Sequence, residues 1–153
     1  MTEAARVAVA ADVPALTRLL ADALGELTPM RGGALWRAGR EAVEFATEID
    51  DDSRLVCAGT LDDVVVGYAR VRVDDLVGGV RVGVIEDLFV ELGGREVGVG
   101  EAMMGVVLDW CRARECSGVD AIALPGHRAA KNFFEESGFT ARLLVMHTAL
   151  DDA

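Results

Sequence analysis

The sequence has no apolar run of about 18 residues, the length that a membrane-spanning helix needs. Its first residues, M-T-E-A-A-R, have neither the basic head nor the apolar core of a secretory signal peptide. Apolar residues fill 52% of the 153 positions, but they occur in short stretches separated by glycines and acidic pairs. We therefore expect one globular domain in the cytoplasm, with no membrane segment.

Cysteine and basic residues are both scarce. The three cysteines, Cys57, Cys111 and Cys116, cannot all pair, and their spacing matches no zinc ligand set, so we expect no metal site. Lys and Arg total 15 against 26 Asp and Glu, which gives a formal net charge of −11. This charge would repel nucleic acid phosphates but attract a cationic small molecule. Acidity that serves only solubility explains the charge equally well.

Hydrophobic periodicity predicts the element order βααβββαβαβ, with an antiparallel front half and one βαβ crossover behind it. Asp12 can cap the first helix, and Pro14 fits its first turn. The predicted helices are residues 13–27, 34–49, 97–114 and 129–137. The predicted strands are residues 6–10, 54–60, 64–73, 80–90, 119–124 and 142–150. No repeat or linker interrupts this order, so we expect a single domain over residues 1–153.

The strand predicted at residues 64–73 has a period of two. Val65 and Ala69 would share one face of this strand, whereas Val66, Tyr68 and Arg70 would share the other. With its neighbours on either side, the strand would form an antiparallel meander.

A glycine-rich stretch, G93-G-R-E-V-G-V-G100, stands where a predicted strand turns into a predicted helix. A helix N-terminus offers unpaired N–H groups and a partial positive charge, and glycines let a phosphate approach the backbone closely. Such turns also occur with a purely structural role. A P-loop would need G-K-[ST] at the helix start, where this sequence has G-E-A. The dinucleotide fingerprint would need an all-parallel βαβ unit near the start of a larger sheet.

Three segments agree in type, order and spacing with one known family. They are the strand I85-E-D-L-F-V90, the turn R95-E-V-G-V-G100 and the segment K131-N-F-F-E-E-S-G-F139. Together they resemble the GNAT superfamily of N-acetyltransferases, and the stretch from Glu86 to Phe139 is similar to the polyamine (spermidine/spermine) acetyltransferases. The resemblance implies an α/β (α+β) fold with a mixed, mainly antiparallel sheet of six to seven strands and about four helices.

The resemblance also implies that acetyl-CoA is the co-substrate. Main-chain groups of Leu88 and Val90 would pair with the pantetheine arm, where two strands separate. Arg95 would lie close to the pyrophosphate, and Asn132 would border the thioester end. Glu96 departs from the family pattern and would weaken phosphate binding unless it points to solvent. The backbone N–H groups expected to hold the pyrophosphate are those of Val97, Gly98, Val99, Gly100 and Glu101.

The neighbours Glu86 and Asp87 are the expected acid–base and substrate residues. Glu86 alternates onto the same side of its strand as Val84 and Leu88, and apolar surroundings would favour a proton-accepting role near neutral pH. By resemblance it is the catalytic glutamate of an E-D pair that acts through water; an ion pair with an arginine is the alternative. Asp87 would face the opposite side and, by resemblance, bind a cationic substrate. A structural hydrogen-bond acceptor is the alternative for Asp87.

The general acid is missing from this pattern. By resemblance, Phe134 takes the place of a tyrosine beside the CoA sulfur, where it would contact the substrates without a proton to donate. Tyr68 is the one tyrosine in the chain and lies on a different predicted strand. Either the thiolate leaves unassisted, or another donor such as water serves, or the protein binds acetyl-CoA without efficient turnover.

Three functions are therefore compatible with the sequence. The first is an acetyl-CoA-dependent N-acetyltransferase that acts on a primary amine of a small molecule or peptide. The second is a non-catalytic acyl-CoA-binding sensor or regulatory protein, which Phe134 and Glu96 favour. The third is an α/β scaffold whose glycines are structural. No motif identifies the acceptor amine, and homodimerisation is common in the resembled family.

Overall fold

The computed structural model of the chain describes residues 1–150. Five strands occur in this range: β1 (Glu3–Val7), β2 (Arg54–Leu61), β3 (Val64–Asp75), β4 (Arg81–Val90) and β5 (Gly118–Ala121). Its α-helices are α1 (Val13–Leu27), α2 (Gly33–Ala38), α3 (Phe45–Ile49), α4 (Val99–Ala113) and α5 (Arg128–Glu136). None of these helices is both long and apolar enough to cross a bilayer.

The strands form one sheet in the order β1-β2-β3-β4-β5. The first four strands are antiparallel to their neighbours, and β5 lies parallel to β4, to which α4 connects it. The predicted class, a mixed and mainly antiparallel α/β sheet, is confirmed. The strand number is smaller than predicted, five in the described residues instead of six or seven.

Each face of the sheet carries its own hydrophobic core. α1 packs on one face through side chains at helical spacing, and the buried ones are Leu16, Leu19, Leu20, Ala23 and Leu27. α4 packs on the other face, together with Phe134 of α5. The buried side chains of α4 are Val99, Met103, Met104, Val107 and Cys111. The sheet therefore lies between α1 and α4, a layered arrangement that holds the start of α4 beside the end of β4.

Two predicted elements differ in the structure. The helix predicted at residues 34–49 is divided into α2 and α3: α2 ends before Gly39, a poor helix former, and the backbone is extended at Glu44, with φ of −117°. The strand predicted at residues 142–150 is wrong: this segment joins no sheet, although its residues favour a strand. A strand also needs a partner edge, and β5, the nearest edge, has only four residues.

Two β-bulges change which side chains share a face. On β3, Gly67 pairs with Gly59 and Val65 pairs with Thr60, so Val66 is the extra residue. Val65 consequently packs in the core on the α1 side with Tyr68, whereas Val66 packs in the α4 core. The predicted alternation, with Val66 beside Tyr68, is wrong at this position.

Candidate active site

The sheet opens between β4 and β5 midway along β4. The two strands pair from Val82 opposite Gly118 to Ile85 opposite Ala121, and the rest of β4 pairs only with β3. Main-chain groups on the β5 side of Leu88 and Val90 therefore have no strand partner. This is the separation expected at the edge that would receive an extended ligand.

The N-terminus of α4 lies directly after this opening. Gly98 takes the left-handed conformation with φ of 92°, and α4 begins at Val99. In the described chain, none of the backbone N–H groups from Glu96 to Glu101 donates a hydrogen bond to a protein acceptor. Glu96 is exposed, so its carboxylate is free to face solvent. A run of unpaired N–H groups at the start of a 15-residue helix suits a phosphate anion.

Two side chains border this helix N-terminus. A Cβ added to Gly100 would lie 3.0 Å from Cε1 of Phe133, and one added to Gly98 would lie 3.1 Å from Cγ of Glu3. These contacts leave no space for larger residues without movement of the neighbours. Glycine is thus required at residue 98 by conformation and favoured at residue 100 by the Phe133 ring.

Arg95, which the resemblance places beside the pyrophosphate, contacts protein groups in the structure. Its Nε donates a 2.7 Å hydrogen bond to the carbonyl of Val90, and its Nη2 lies 2.8 and 3.0 Å from the two carboxylate oxygens of Glu26 on α1. The guanidinium also lies over the ring of Phe89, 5.4 Å from its centroid. Arg95 therefore occupies one of the two main-chain positions expected to bind pantetheine, and it links β4 to α1.

The second bulge lies at Glu86. Arg70 pairs with Asp87 and Val71 pairs with Ile85, which leaves Glu86 as the extra residue of β4. A bulge breaks the alternation of side chains, and both carboxylates reach the same guanidinium: Nη2 of Arg70 is 3.1 Å from Oε2 of Glu86, and Nη1 is 3.2 Å from Oδ2 of Asp87. The prediction that Asp87 faces the opposite side of the strand from Glu86 is wrong.

Glu86 is surrounded by charge. Besides Arg70, it contacts Nη1 of Arg72 at 3.2 Å and Nη1 of Arg54 at 3.3 Å, and the residue is only 8% exposed. The predicted apolar surroundings are therefore wrong, and the ion-pair alternative describes the contacts. These guanidinium contacts occupy both oxygens of the Glu86 carboxylate, which leaves it poorly placed to contact a substrate amine or a water.

Asp87 is fully occupied by internal partners. Its carboxylate accepts hydrogen bonds from Arg40 Nε at 2.5 Å, from Tyr68 Oη at 3.0 Å and from Arg70 Nη1 at 3.2 Å. Arg40 also donates to the carbonyl of Glu86 and lies over the ring of Trp36, so it ties the segment after α2 to the β4 bulge. Both oxygens have internal partners and the side chain is only 1% exposed, so the carboxylate is closed to a cationic substrate in this state.

Burial and charge together set the protonation of the residues around Asp87. Burial and the Asp87 carboxylate raise the pKa of Tyr68 well above its ordinary value, so the phenol keeps its proton. Burial alone would lower the pKa of Arg70, but the hydrogen bonds to Glu48 and the charges of Asp87, Glu48 and Glu86 raise it. Tyr68 therefore stays neutral and Arg70 stays charged across the physiological pH range.

The remaining predicted residues lie on α5. Phe134 is buried in the α4 core and packs against Phe133 and Phe139, with ring centroids 5.6 and 5.5 Å apart. Asn132 is exposed on the same helix. At the start of α5, burial lowers the pKa of His127, the charge of Glu26 raises it, and Arg95 lowers it, with a net lowering that favours neutral imidazole.

An open cleft of about 560 Å³ lies between α1 and the loop that follows β4. The charged residues in its wall are Asp22, Glu26, Glu91 and Arg95, beside the ring of Phe89. Asp22 and Glu26 are four residues apart on α1, a spacing that puts them on one helix face. The sequence contained this signal, but only the fold brings the acidic pair to the end of β4.

Comparisons with known proteins agree with this architecture. The profile of the acetyltransferase (GNAT) family matches residues 16–139, so the chain belongs to that family. No curated protein sequence matches the chain.

Solved structures share the fold at low sequence identity. A tetramutant of the BH1408 protein from Bacillus halodurans has a TM-score of 0.81 at 16% identity, with 95% of this chain and 99% of that chain covered. A ribosomal-protein-alanine N-acetyltransferase from Brucella melitensis biovar Abortus 2308 has a TM-score of 0.71 at 15% identity, with 97% of this chain and 100% of that chain covered. An aminoglycoside acetyltransferase, meta-AAC0020, from an uncultured soil metagenomic sample has a TM-score of 0.71 at 16% identity, with 97% of this chain and 95% of that chain covered.

Proposed function

We propose that the chain is an acetyl-CoA-dependent N-acetyltransferase that transfers an acetyl group to a primary amine of a small molecule or peptide. The observation that carries this proposal is the run of unpaired N–H groups from Glu96 to Glu101, placed where β4 and β5 separate. These groups would hold the pyrophosphate, and Leu88 and Val90 would pair with the pantetheine arm once Arg95 releases the Val90 carbonyl.

Direct transfer requires the amine nitrogen to attack the thioester carbonyl, with the C–S bond breaking and the sulfur leaving as a thiolate. Alignment of the two substrates supplies much of the rate in such a step. Guanidinium groups occupy both carboxylate oxygens of Glu86, so we assign removal of the amine proton to solvent. The charged cluster then acts by holding the β4 bulge in place beside the open edge.

Asp87 is fully paired, so a cationic acceptor would be attracted elsewhere. The wall of the cleft contains Asp22, Glu26 and Glu91, of which Glu26 pairs with Arg95 and Glu91 pairs with Arg18 in this state. The net charge of −11 would attract a cation to the molecule as a whole, and this open cleft is where we place it. Polyamines, aminoglycosides and peptides with a free amino terminus form the panel of acceptors to test.

A second function has one observation in its favour. Phe134 has no proton to donate, and the Tyr68 phenol is buried and bound to Asp87. A protein that binds acetyl-CoA as a sensor or regulatory subunit needs no general acid. The scaffold alternative, in which the glycines serve structure alone, predicts no binding at all.

Two measurements separate these functions. Isothermal titration calorimetry with acetyl-CoA should show binding for the enzyme and for the sensor, whereas its absence would leave only the scaffold. Release of free thiol from acetyl-CoA across the amine panel should then occur for the enzyme alone. Binding without thiol release on any amine would favour the sensor.

A further inference from the structure

The C-terminal end of α4 brings two cysteines together. The helix ends in a Schellman motif, in which the N–H of Cys116 donates to the carbonyl of Cys111 at 3.0 Å and the N–H of Glu115 donates to the carbonyl of Arg112 at 3.0 Å. Glu115 takes the left-handed conformation that this motif requires, with φ of 60°. The side chains at the two ends of the wider turn frequently contact each other in such motifs, and here both are cysteines.

The backbone hydrogen bond also limits how far apart the two cysteines can be. Standard bond lengths on either side of it keep the two Cα atoms less than about 6.9 Å apart, and the Cα atoms of disulfides are usually about 4.4–6.8 Å apart. Both thiols are free, and both side chains pack in the α4 core. A disulfide between them would therefore require rotation of two side chains and little movement of the backbone.

The two thiols differ in accessibility. Cys111 is 1% exposed, and its Sγ lies against β4, 2.5 Å from the position that a Cβ on Gly83 would take. Burial raises the pKa of Cys111 to about 12, and the neighbouring Cys116 thiol adds to this rise, so the two sulfurs are close enough to affect each other. Cys116 is half-buried in the turn that leads to β5. An oxidant from solvent would therefore reach Cys116 first.

We propose that Cys111 and Cys116 form a redox-modification site, which hydrogen peroxide converts reversibly into an intramolecular disulfide. The Cys116 sulfur attacks one oxygen of the peroxide, the O–O bond breaks, and a sulfenic acid and one water form. The Cys111 sulfur then attacks the sulfur of the sulfenic acid, loses its proton and expels a second water. The thiol pair gives two electrons to the peroxide, and a reducing thiol restores both cysteines.

The disulfide would tie the end of α4 to the start of β5. The turn between them is already held to β4, because Nη1 of Arg81 donates to the carbonyl of Arg114 and the N–H of Ser117 donates to the carbonyl of Arg81. A closed loop of six residues restricts the unfolded chain, so oxidation should raise the Tm by roughly 5 °C. The bond lies at the opposite end of α4 from the unpaired N–H groups, so it does not depend on acetyl-CoA binding.

Thiol counting tests the bond. The folded protein is treated with hydrogen peroxide, denatured and alkylated with N-ethylmaleimide. The reduced wild type should take up three maleimides and the oxidised wild type one, at Cys57. Trypsin cuts after Arg112 and Arg114, between the two cysteines, so mass spectrometry should find two peptides joined through Cys111 and Cys116. Dithiothreitol should separate these peptides and reverse the rise in Tm.

Two variants complete the test. Cys116→Ser removes the accessible thiol and should lose both the joined peptides and the rise in Tm. Cys57→Ala is the matched control, because Cys57 is a buried cysteine on β2, and this variant should keep both. Three free thiols in the oxidised wild type would overturn the proposal. A disulfide that joins two chains, or a Cys116 sulfinic acid without a bond to Cys111, would overturn it as well.

Discussion

Arg70 and Glu86 form a buried ion pair, in which Nη2 of the guanidinium lies 3.1 Å from Oε2 of the carboxylate. The same guanidinium binds Glu48 of α3 through two hydrogen bonds of 2.9 Å and reaches Asp87 at 3.2 Å. One side chain of β3 thus joins α3 to both carboxylates of the β4 bulge. The local geometry of the candidate site depends on this residue.

Replacing Arg70 should therefore cost much of the stability of the fold. Arg70→Met keeps an apolar stem but leaves three carboxylates without their shared partner, and breaking a buried pair in this way costs about 3–5 kcal/mol. Urea denaturation of both proteins measures the loss. Arg112→Met is the matched control, because Arg112 and Asp109 form an exposed pair and its loss should leave the free energy of unfolding unchanged. Equal stability of Arg70→Met and wild type would show that the cluster contributes nothing.

The phosphate site can be tested through two glycines of α4. Gly100→Leu places a side chain against Phe133 at the helix N-terminus, whereas Gly105→Leu on the same helix meets open space. Acetyl-CoA at 100 times its dissociation constant should stabilise the wild type by about 2.7 kcal/mol. Thermal denaturation should show most of this gain lost in Gly100→Leu and retained in Gly105→Leu.

If acetyl-CoA stabilises Gly100→Leu as strongly as Gly105→Leu, the unpaired N–H groups are not the binding site. If it stabilises neither the wild type nor the variants, the proposed function itself is wrong.

The ion pair at the start of α1 predicts how stability depends on pH. The hydrogen bonds from Arg6, at 2.7 and 2.9 Å, lower the pKa of Asp12, burial raises it, and the N–H of Val9 lowers it, with a net lowering from 3.8. Because the pKa is lower in the folded state, the contribution is complete above the unfolded value and disappears as the pH falls through the folded one.

Asp12→Asn should consequently be less stable than the wild type near neutral pH, and the difference should shrink as the pH falls below about 3.8. Urea denaturation at several pH values measures the difference. Asp109→Asn, at an exposed carboxylate, should show no such trend. If the difference in the free energy of unfolding stays constant with pH, the charge of Asp12 does not contribute to stability.

Sequence patterns located β2, β3, β4, α1 and α4 within a few residues. The two helices each bury one face at helical spacing, and the three strands are apolar runs bounded by turn residues and buried on both faces. These patterns failed at Val66 and Glu86, where a bulge adds one residue and reverses the alternation. A bulge depends on the register with the partner strand, which no local pattern contains.

The sequence also could not predict which charged side chains form ion pairs. Arg95 and Glu26 are 69 positions apart, and Arg40 and Asp87 are 47 apart, so only the folded chain brings them together. The glycine-rich turn was the reverse case, because the conformation of Gly98 and the start of α4 follow from neighbouring residues alone. The backbone conformation of the candidate site could therefore be predicted from the sequence, whereas its ion pairs could not.

The contacts of Glu86 lead to a specific kinetic prediction. Three guanidinium groups occupy its oxygens and keep them from the substrates, so Glu86→Gln should lower turnover by less than about tenfold and should keep the acidic limb of the pH profile. Thiol release on one amine across pH measures both. A general base contributes about 10²–10⁴-fold, so a loss of that size together with loss of the acidic limb would restore Glu86 as the base.

The last prediction concerns Phe134, which has no proton to give to the leaving thiolate. Phe134→Tyr adds one hydroxyl to a ring that packs between Phe133 and Phe139 and is 8% exposed. If the ring edge faces the thioester, the hydroxyl can donate a proton, and turnover on the same amine should rise at least several-fold, since a thiolate needs less help than an alkoxide. Acetyl-CoA affinity should change little.

If the edge of the Phe134 ring faces the core instead, the added hydroxyl should lower the stability of the protein. A hydroxyl buried in the core without a partner costs about 1–3 kcal/mol, so thermal denaturation of Phe134→Tyr separates the two cases. Phe139→Tyr is the matched control, because it puts the same hydroxyl on the other ring that packs against Phe134. Faster turnover at full stability in Phe134→Tyr, and not in Phe139→Tyr, places the ring beside the sulfur. Lower stability without faster turnover means that Phe134 is a core residue, and the proton donor of any acetyl transfer must then be solvent.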